Sequence, residues 1–279
     1  MTAPFTNIHA LIIDMDGVLW HGDQAIAGLN DFFNTLRKKQ IPFVLATNNA
    51  SYTGQQYINK FAGMGVEVVA EEILTSGIAT ALYLAEQHEP AKTRVFVLGE
   101  DGAVEPLKEQ GFILTDLYQL NTEDTPNQGA DLVVCGKDEQ INWDKLATAT
   151  LNINAGAEFI ATNGDTTLPT ERGLIQGNGA ILAALTAATG ITAKPIGKPE
   201  PIIYQQALAL LGTSLENTVA LGDRLDTDIL GAVRTGIRSL MVLTGVSSES
   251  DIQQVDYEPT WVMQDLRAVT EALKSLPDN

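Results

Sequence analysis

Ala10-Leu11-Ile12-Ile13-Asp14-Met15-Asp16-Gly17 is an apolar run that ends in two acids and a glycine. A short apolar run bounded by polar residues reads as a buried strand. Alternate residues of an extended chain point the same way, so Asp14 and Asp16 leave the strand end on one side. Gly17 permits the tight turn that follows. Two acids beside a buried strand are costly unless a cation or a proton compensates them, which argues for a chemical role over a pair of solvated loop acids.

Outward from this stretch, residues 42–46 form a second apolar run, ending in Thr47-Asn48-Asn49. Between the two, Leu29, Phe32, Phe33 and Leu36 recur at helical spacing, and Arg37, Lys38 and Lys39 sit where a helix C-terminus favours cations. This is a βαβ unit. The pattern returns late in the chain: a helix over 202–211, a strand over 218–221 that ends in Gly222-Asp223, a helix from Thr227 and a strand over 239–243. Apolar strands joined by helices predict a parallel sheet, whose sites lie at the carboxyl ends of its strands. Asp14, Thr47 and Asp223 occupy such ends. The middle has strands of its own at 94–98, 131–135 and 158–161, helices near 104–110 and 143–154, and a polar loop at 120–129. The expected organisation is therefore a Rossmann-like α/β core in two parts, 1–88 and 177–279, around a smaller inserted α/β domain, 89–176.

Composition narrows the function. The 279 residues carry 17 Lys+Arg against 35 Asp+Glu, a formal charge of -18, which repels nucleic acid and anionic membranes. An enzyme with this charge accepts an anionic substrate only where a divalent cation and a few placed cations reverse the field. Cys135 is the single cysteine and lies in an apolar run, so it is expected to be buried and inert, with no internal disulfide. No basic leader precedes an apolar stretch and no apolar run spans a bilayer, which predicts a cytoplasmic protein.

Asp223 gives a second acidic centre, with Asp226 and Asp228 close behind, and oxygen ligands of this kind suit Mg²⁺. Asp226 and Asp228 also stand where a helix begins, so capping is an equal reading for either. Thr47 and the backbone beyond it offer donors to a phosphoryl oxygen. Lys198, in Gly197-Lys198-Pro199, offers a cation on a loop stiffened by proline; a solvated surface lysine is the alternative.

Strand-DxDG, strand-TNN, GKP and GDRxxTD, in this order, resemble the haloacid dehalogenase-like phosphatases. Asp14 to Trp20, the Thr47-Asn48-Asn49 triplet and the long insert are similar to the NagD-like, p-nitrophenyl phosphatase branch. The resemblance implies that Asp14 is the nucleophile and Asp16 the acid–base. Mg²⁺ would be held by Asp14, Asp223, the Asp16 carbonyl and, in support, Asp228. Thr47, Asn48, Asn49, Lys198, Arg224 and Thr227 would bind the phosphate and substrate. It implies further that the insert is a cap governing substrate choice. Relatives often pair through their caps, so a homodimer formed there is a candidate assembly.

The expected activity is hydrolysis of a small phosphorylated metabolite: a sugar phosphate, a nucleoside monophosphate, phosphoglycolate or pyridoxal phosphate. A sugar-phosphate mutase would share the nucleophile and metal, and a receiver-type signalling module would share the acids, hydroxyl and lysine. Asp16, an acid for turnover, and the large insert favour an enzyme over signalling. Thr162-Asn163-Gly164-Asp165 reads equally as a cap loop near substrate or as a plain Asn-Gly turn. Trp20 and His21 follow the first motif and read either as bordering the entrance or, in preference, as aromatic packing under the loop; His9 and His88 have no partner pattern and read as solvated or core histidines. The glycines at 177–179 lack the strand and the third glycine of a dinucleotide site.

Overall fold

The structure, a computed structural model, describes residues 5–170 and 172–277. The chain forms two compact units. One comprises the chain up to Thr47, Gly54–Leu74 and the chain from Lys198 onward; the other comprises Asn48–Thr53 and Thr75–Gly197.

The first unit is built on a six-stranded sheet in the order Trp261–Met263, Arg238–Val242, Thr218–Gly222, Ala10–Ile13, Phe43–Thr47, Ile73–Thr75. The pairings from Phe43–Thr47 across to Trp261–Met263 are parallel. All four residues of Ala10–Ile13 and all five of Thr218–Gly222 are buried, which explains why these strands read as continuous apolar runs without alternation. Helix Leu29–Lys38 buries Leu29, Phe32, Phe33 and Leu36, the residues whose spacing predicts it. It packs on helix Leu266–Lys274, which Asp265 caps by accepting the Arg267 and Ala268 N–H groups at 3.0 Å each. Helix Pro201–Leu211 lies against the strands Ala10–Ile13 and Phe43–Thr47. Burying each large apolar side chain in such a layer contributes roughly 1.5–3 kcal/mol. Chain order reverses at Ala10–Ile13, because its neighbours in the sheet come from opposite ends of the sequence, and ligands of open α/β sheets bind at such switch points.

The second unit has a five-stranded parallel sheet, ordered Lys194–Pro195, Glu158–Ala161, Leu132–Cys135, Arg94–Leu98, Ile113–Leu114. It takes in more chain than the expected 89–176. Helix Asn178–Thr189 lays Ile181, Leu182 and buried Leu185 on the cluster of Phe96, Val133 and Phe159, and Lys194–Pro195 adds a strand beyond it. At the other end, helix Ser76–Gln87 packs on Asp101–Glu109 at two glycines, where a Cβ on Gly77 would stand 2.0 Å from the Gly102 carbonyl oxygen. No break in composition marks either extension. The polar loop at 120–129 lies inside this unit, as expected, and Cys135 is buried, its thiol pushed up by loss of solvent. Among the described residues no helix is long and apolar enough to cross a membrane.

Candidate active site

Strand register sets the site of the first unit. Ile13 stands opposite Leu221 on one side and Leu45 on the other, and the Asp14 N–H donates to the Leu221 carbonyl at 2.8 Å. Asp14 therefore leaves the sheet between the ends of two neighbours, one running into Thr47 and the other into Gly222-Asp223. The carboxylates of Asp14, Asp223 and Asp228 lie within 4.8 Å of one another. Asp228 arrives from the turn Leu225–Ile229 and is held there: one oxygen accepts the Asp223 and Arg224 N–H groups at 3.3 and 3.1 Å. A Cβ on Gly222 would come within 2.2 Å of the Asp228 Cβ, so this strand end tolerates only glycine.

Lys198, 4% exposed, sits among these acids. Its ammonium donates to Asp14 Oδ1, to Asp228 Oδ1 at 2.7 Å and to the Ala46 carbonyl at 3.1 Å. Burial works to lower the lysine, but Asp14 and Asp228 outweigh it and hold it cationic well above its ordinary range. Burial raises the Asp14 carboxyl well above the carboxylate range, with Asp228 and Asp223 adding to the rise and Lys198 opposing it. Burial and Asp228 push Asp223 up to about 7, against the Val246 N–H, Lys198 and Arg224. With all three acids ionised, the one ammonium would leave two negative charges to be balanced, the charge of a divalent cation. Among the described residues Asp223 Oδ1 is buried with no hydrogen-bond partner, a condition that fits an oxygen able to ligate a cation.

Known proteins share the sequence and the fold. The sequence profile of haloacid dehalogenase-like hydrolases matches residues 11–113, and that of HAD-hydrolase-like proteins matches 195–269. The acid sugar phosphatase of Staphylococcus saprophyticus is 37% identical over 96% of this chain and 99% of its own length. A thermostable NPPase double mutant from Geobacillus stearothermophilus superposes with a TM-score of 0.83 at 37% identity, covering 93% of this chain and 97% of that one. NagD from Escherichia coli K-12 does so with a TM-score of 0.83 at 35% identity, over 94% and 98%. The chain belongs to the haloacid dehalogenase-like phosphatases, in their NagD-like branch.

The other site residues expected in this phosphatase are placed as follows. Thr47, 3% exposed, ends the strand beside Asp14. Asp16 is exposed, with Oδ1 accepting the Trp20 indole N–H at 2.8 Å; Trp20 itself is fully buried, as its reading as packing requires, and His21 is exposed. Thr227 is buried in the Leu225–Ile229 turn. Arg224 grips Asp226 with two hydrogen bonds, at 3.0 and 2.8 Å, so Asp226 serves as its surface partner. Asn48 and Asn49 belong to the second unit. There Asn49 Oδ1 accepts the Ser51 N–H at 2.8 Å, and the Asn48 amide donates to both oxygens of Asp165 at 3.2 Å. Asn163 Nδ2 donates to the Asn48 carbonyl at 2.7 Å, so the 162–165 loop is more than a plain turn: its side chains organise the Asn48 segment. His88, read from sequence without a partner, lies 3.7 Å from Glu158.

Sequence reasoning missed the loop after strand Arg238–Val242. The Val246 N–H donates to Asp223 Oδ2 at 2.7 Å and the Thr244 hydroxyl to the Gly17 carbonyl at 2.6 Å. A Cβ on Gly245 would lie 1.8 Å from Asp223 Oδ2. The signal was present as a glycine just past an apolar strand. Tyr204, whose hydroxyl donates to the Asp228 carbonyl at 2.9 Å, gave no such sign, because only the packing of helix Pro201–Leu211 brings it there.

Proposed function

We propose that this phosphatase hydrolyses a small phosphomonoester, with a sugar phosphate favoured, through a covalent phosphate on Asp14, and that it requires Mg²⁺. The observation that carries the reading is the cluster of Asp14, Asp223 and Asp228 around Lys198, with Asp223 Oδ1 buried and unpartnered. The preference for sugar phosphates rests on the acid sugar phosphatase relatives.

Hard carboxylate oxygens suit Mg²⁺, and Asp14, Asp223 and the Asp16 carbonyl would hold it, with Asp228 supporting the set. When bound, the ion offsets the charge between the phosphate dianion and the acids. Asp14 then bonds to phosphorus in line with the breaking ester bond, and Asp16 gives its proton to the departing oxygen. In the second half a water oxygen bonds to phosphorus, its proton passes to Asp16, the bond to Asp14 breaks and inorganic phosphate leaves. Lys198 keeps Asp14 aligned through the shared hydrogen bond and supplies positive charge to the equatorial oxygens, with Thr47 and the Asn48-Asn49 backbone as further donors. Arg224 and Thr227 border the phosphate.

The inserted unit is proposed as the cap that selects the substrate and as the surface through which two copies pair. A small phosphorylated metabolite is the partner, with nucleic acid and membranes disfavoured by the charge of -18, and the cytoplasm is the proposed location. A panel of phosphomonoesters, assayed for phosphate release with Mg²⁺ and with EDTA, tests the core of this reading. Release from sugar phosphates with Mg²⁺ and none with EDTA is expected; full activity of metal-stripped protein in EDTA would sink it.

A further inference from the structure

Among the described residues, Trp20 makes the one hydrogen bond to the Asp16 side chain. We propose that Trp20 is a positioning residue for this acid: its indole N–H fixes Oδ1, so that the catalytic proton travels on Oδ2. The inference rests on the reading of Asp16 as the acid–base.

Asp16 is exposed on a turn, where a carboxylate with two rotatable bonds samples several directions. Its donor samples none. Trp20 is 0% exposed, stacks on Tyr57 with ring centroids 6.3 Å apart and meets the edge of Phe61 at 4.9 Å. The Lys60 ammonium lies 4.5 Å from the indole centroid and is itself tied to the Gly22 carbonyl at 2.8 Å. All three cage residues come from helix Gly54–Gly63. The backbone completes the clamp, because the Trp20 carbonyl accepts the Gly17 N–H at 2.8 Å and so fixes the span between the indole and Asp16. A bicyclic ring without the N–H would fill this cage equally well, whereas a phenylalanine would leave part of it empty; what the indole adds beyond its volume is the N–H, which a buried indole must pair.

An indole N–H only donates. In the protonated acid the carbonyl oxygen is the better acceptor of that N–H, so Oδ1 keeps the indole and Oδ2 is the oxygen placed to exchange the proton. In the first half-reaction the proton leaves Oδ2 for the ester oxygen as the phosphorus–oxygen bond breaks. In the second it returns to Oδ2 from the attacking water as the bond to Asp14 breaks. A general acid must lie within hydrogen-bond reach of its target, and loss of that placement is costly.

The test replaces Trp20 in two ways: Trp20→Phe, and site-specific 3-benzothienylalanine, which keeps the bicyclic ring and puts sulfur in place of the N–H. Each is made in the parent and with Asp16→Asn, and assayed on glycerol 3-phosphate and on p-nitrophenyl phosphate. The expected result is a kcat loss of about tenfold on the alkyl ester, less on the activated aryl ester, an unchanged KM, and phosphate accumulating on Asp14. With Asp16→Asn already present, neither replacement should cost more. Equal losses on the two esters, or the same loss with Asp16→Asn, would make Trp20 a packing residue only and overturn the inference. Should the Phe variant fold poorly, the benzothienyl protein, which retains the ring contacts, decides alone. Asp16→Asn by itself separates the two ideas: if it slows both esters equally and traps no phosphate, the acid–base reading fails; if it discriminates and the Trp20 variants do not, only the positioning role fails.

Discussion

At the scale of single residues, the proposed function divides the labour between the two acids of the first turn, Asp14 as nucleophile and Asp16 as acid–base. Asp14→Asn removes the anionic nucleophile and should abolish turnover and covalent labelling together. Asp16→Asn keeps the nucleophile but cannot exchange a proton, so hydrolysis of an alkyl phosphate should fall about 10²- to 10⁴-fold. Acid-quenched mass spectrometry should then find phosphate on Asp14 when p-nitrophenyl phosphate is the substrate, since that leaving group needs little protonation. Phosphate recovered elsewhere would overturn the assignment. Lys198 is the counter-case, a residue whose loss strands its partners. Lys198→Met leaves Asp14 and Asp228 buried without their cation, and removing one member of a buried ion pair costs about 3–5 kcal/mol. Urea unfolding of the metal-free variant should show a loss of that order, with part of it recovered when Mg²⁺ is added.

At the scale of elements, glycines at the strand ends bring the acids together. The loop after Arg238–Val242 reaches Asp223 only because Gly245 has no side chain; the Cβ of an alanine would stand 1.8 Å from a carboxylate oxygen. Gly245→Ala should turn Asp223 aside and break the Val246 N–H contact. Outer-sphere changes of this kind typically cost 10- to 100-fold in metal affinity. A rise of about that size in the Mg²⁺ concentration for half-maximal activity is expected, matched by a weaker thermal shift on metal addition. An unchanged Mg²⁺ dependence would remove the loop from the site. Helix Leu29–Lys38 makes the complementary point about packing: Phe32→Ala, at a fully buried position, should cost about 3–5 kcal/mol by urea unfolding while leaving the Mg²⁺ requirement unaltered.

For the whole molecule, the buried acids couple stability to pH. Asp223 is pushed up to about 7, whereas in an unfolded chain an aspartate titrates near 3.9. The folded, metal-free protein thus binds this proton more tightly, and its contribution to stability is complete below about pH 4 and is lost as the pH rises through about 7. A divalent cation held by Asp223, as proposed, would replace the proton. Mg²⁺ should therefore raise the melting temperature more at about pH 8 than at about pH 5. Equal increments at the two values would show that the ion binds elsewhere.

Four of the six strands of the first sheet, and the identity of its key strand ends, were legible in the sequence, whereas the outer strands Ile73–Thr75 and Trp261–Met263 were not. Asp14, Thr47 and Asp223 each follow an apolar run, and a parallel sheet buried on both faces leaves its strands no polar alternation to confuse the reading. Tertiary structure alone decided what lies beside those ends. Asp14 and Lys198 are 184 positions apart, and no local signal announces that Asp228 would clamp the lysine or that the Tyr204 hydroxyl would reach the Asp228 carbonyl. The extent of the inserted unit escaped for a related cause: helix Asn178–Thr189 and strand Lys194–Pro195 look like any core elements until the second sheet takes them up. Local propensity and hydrophobic period act between near neighbours along the chain, whereas charge pairing and burial act between neighbours in space, which only folding creates.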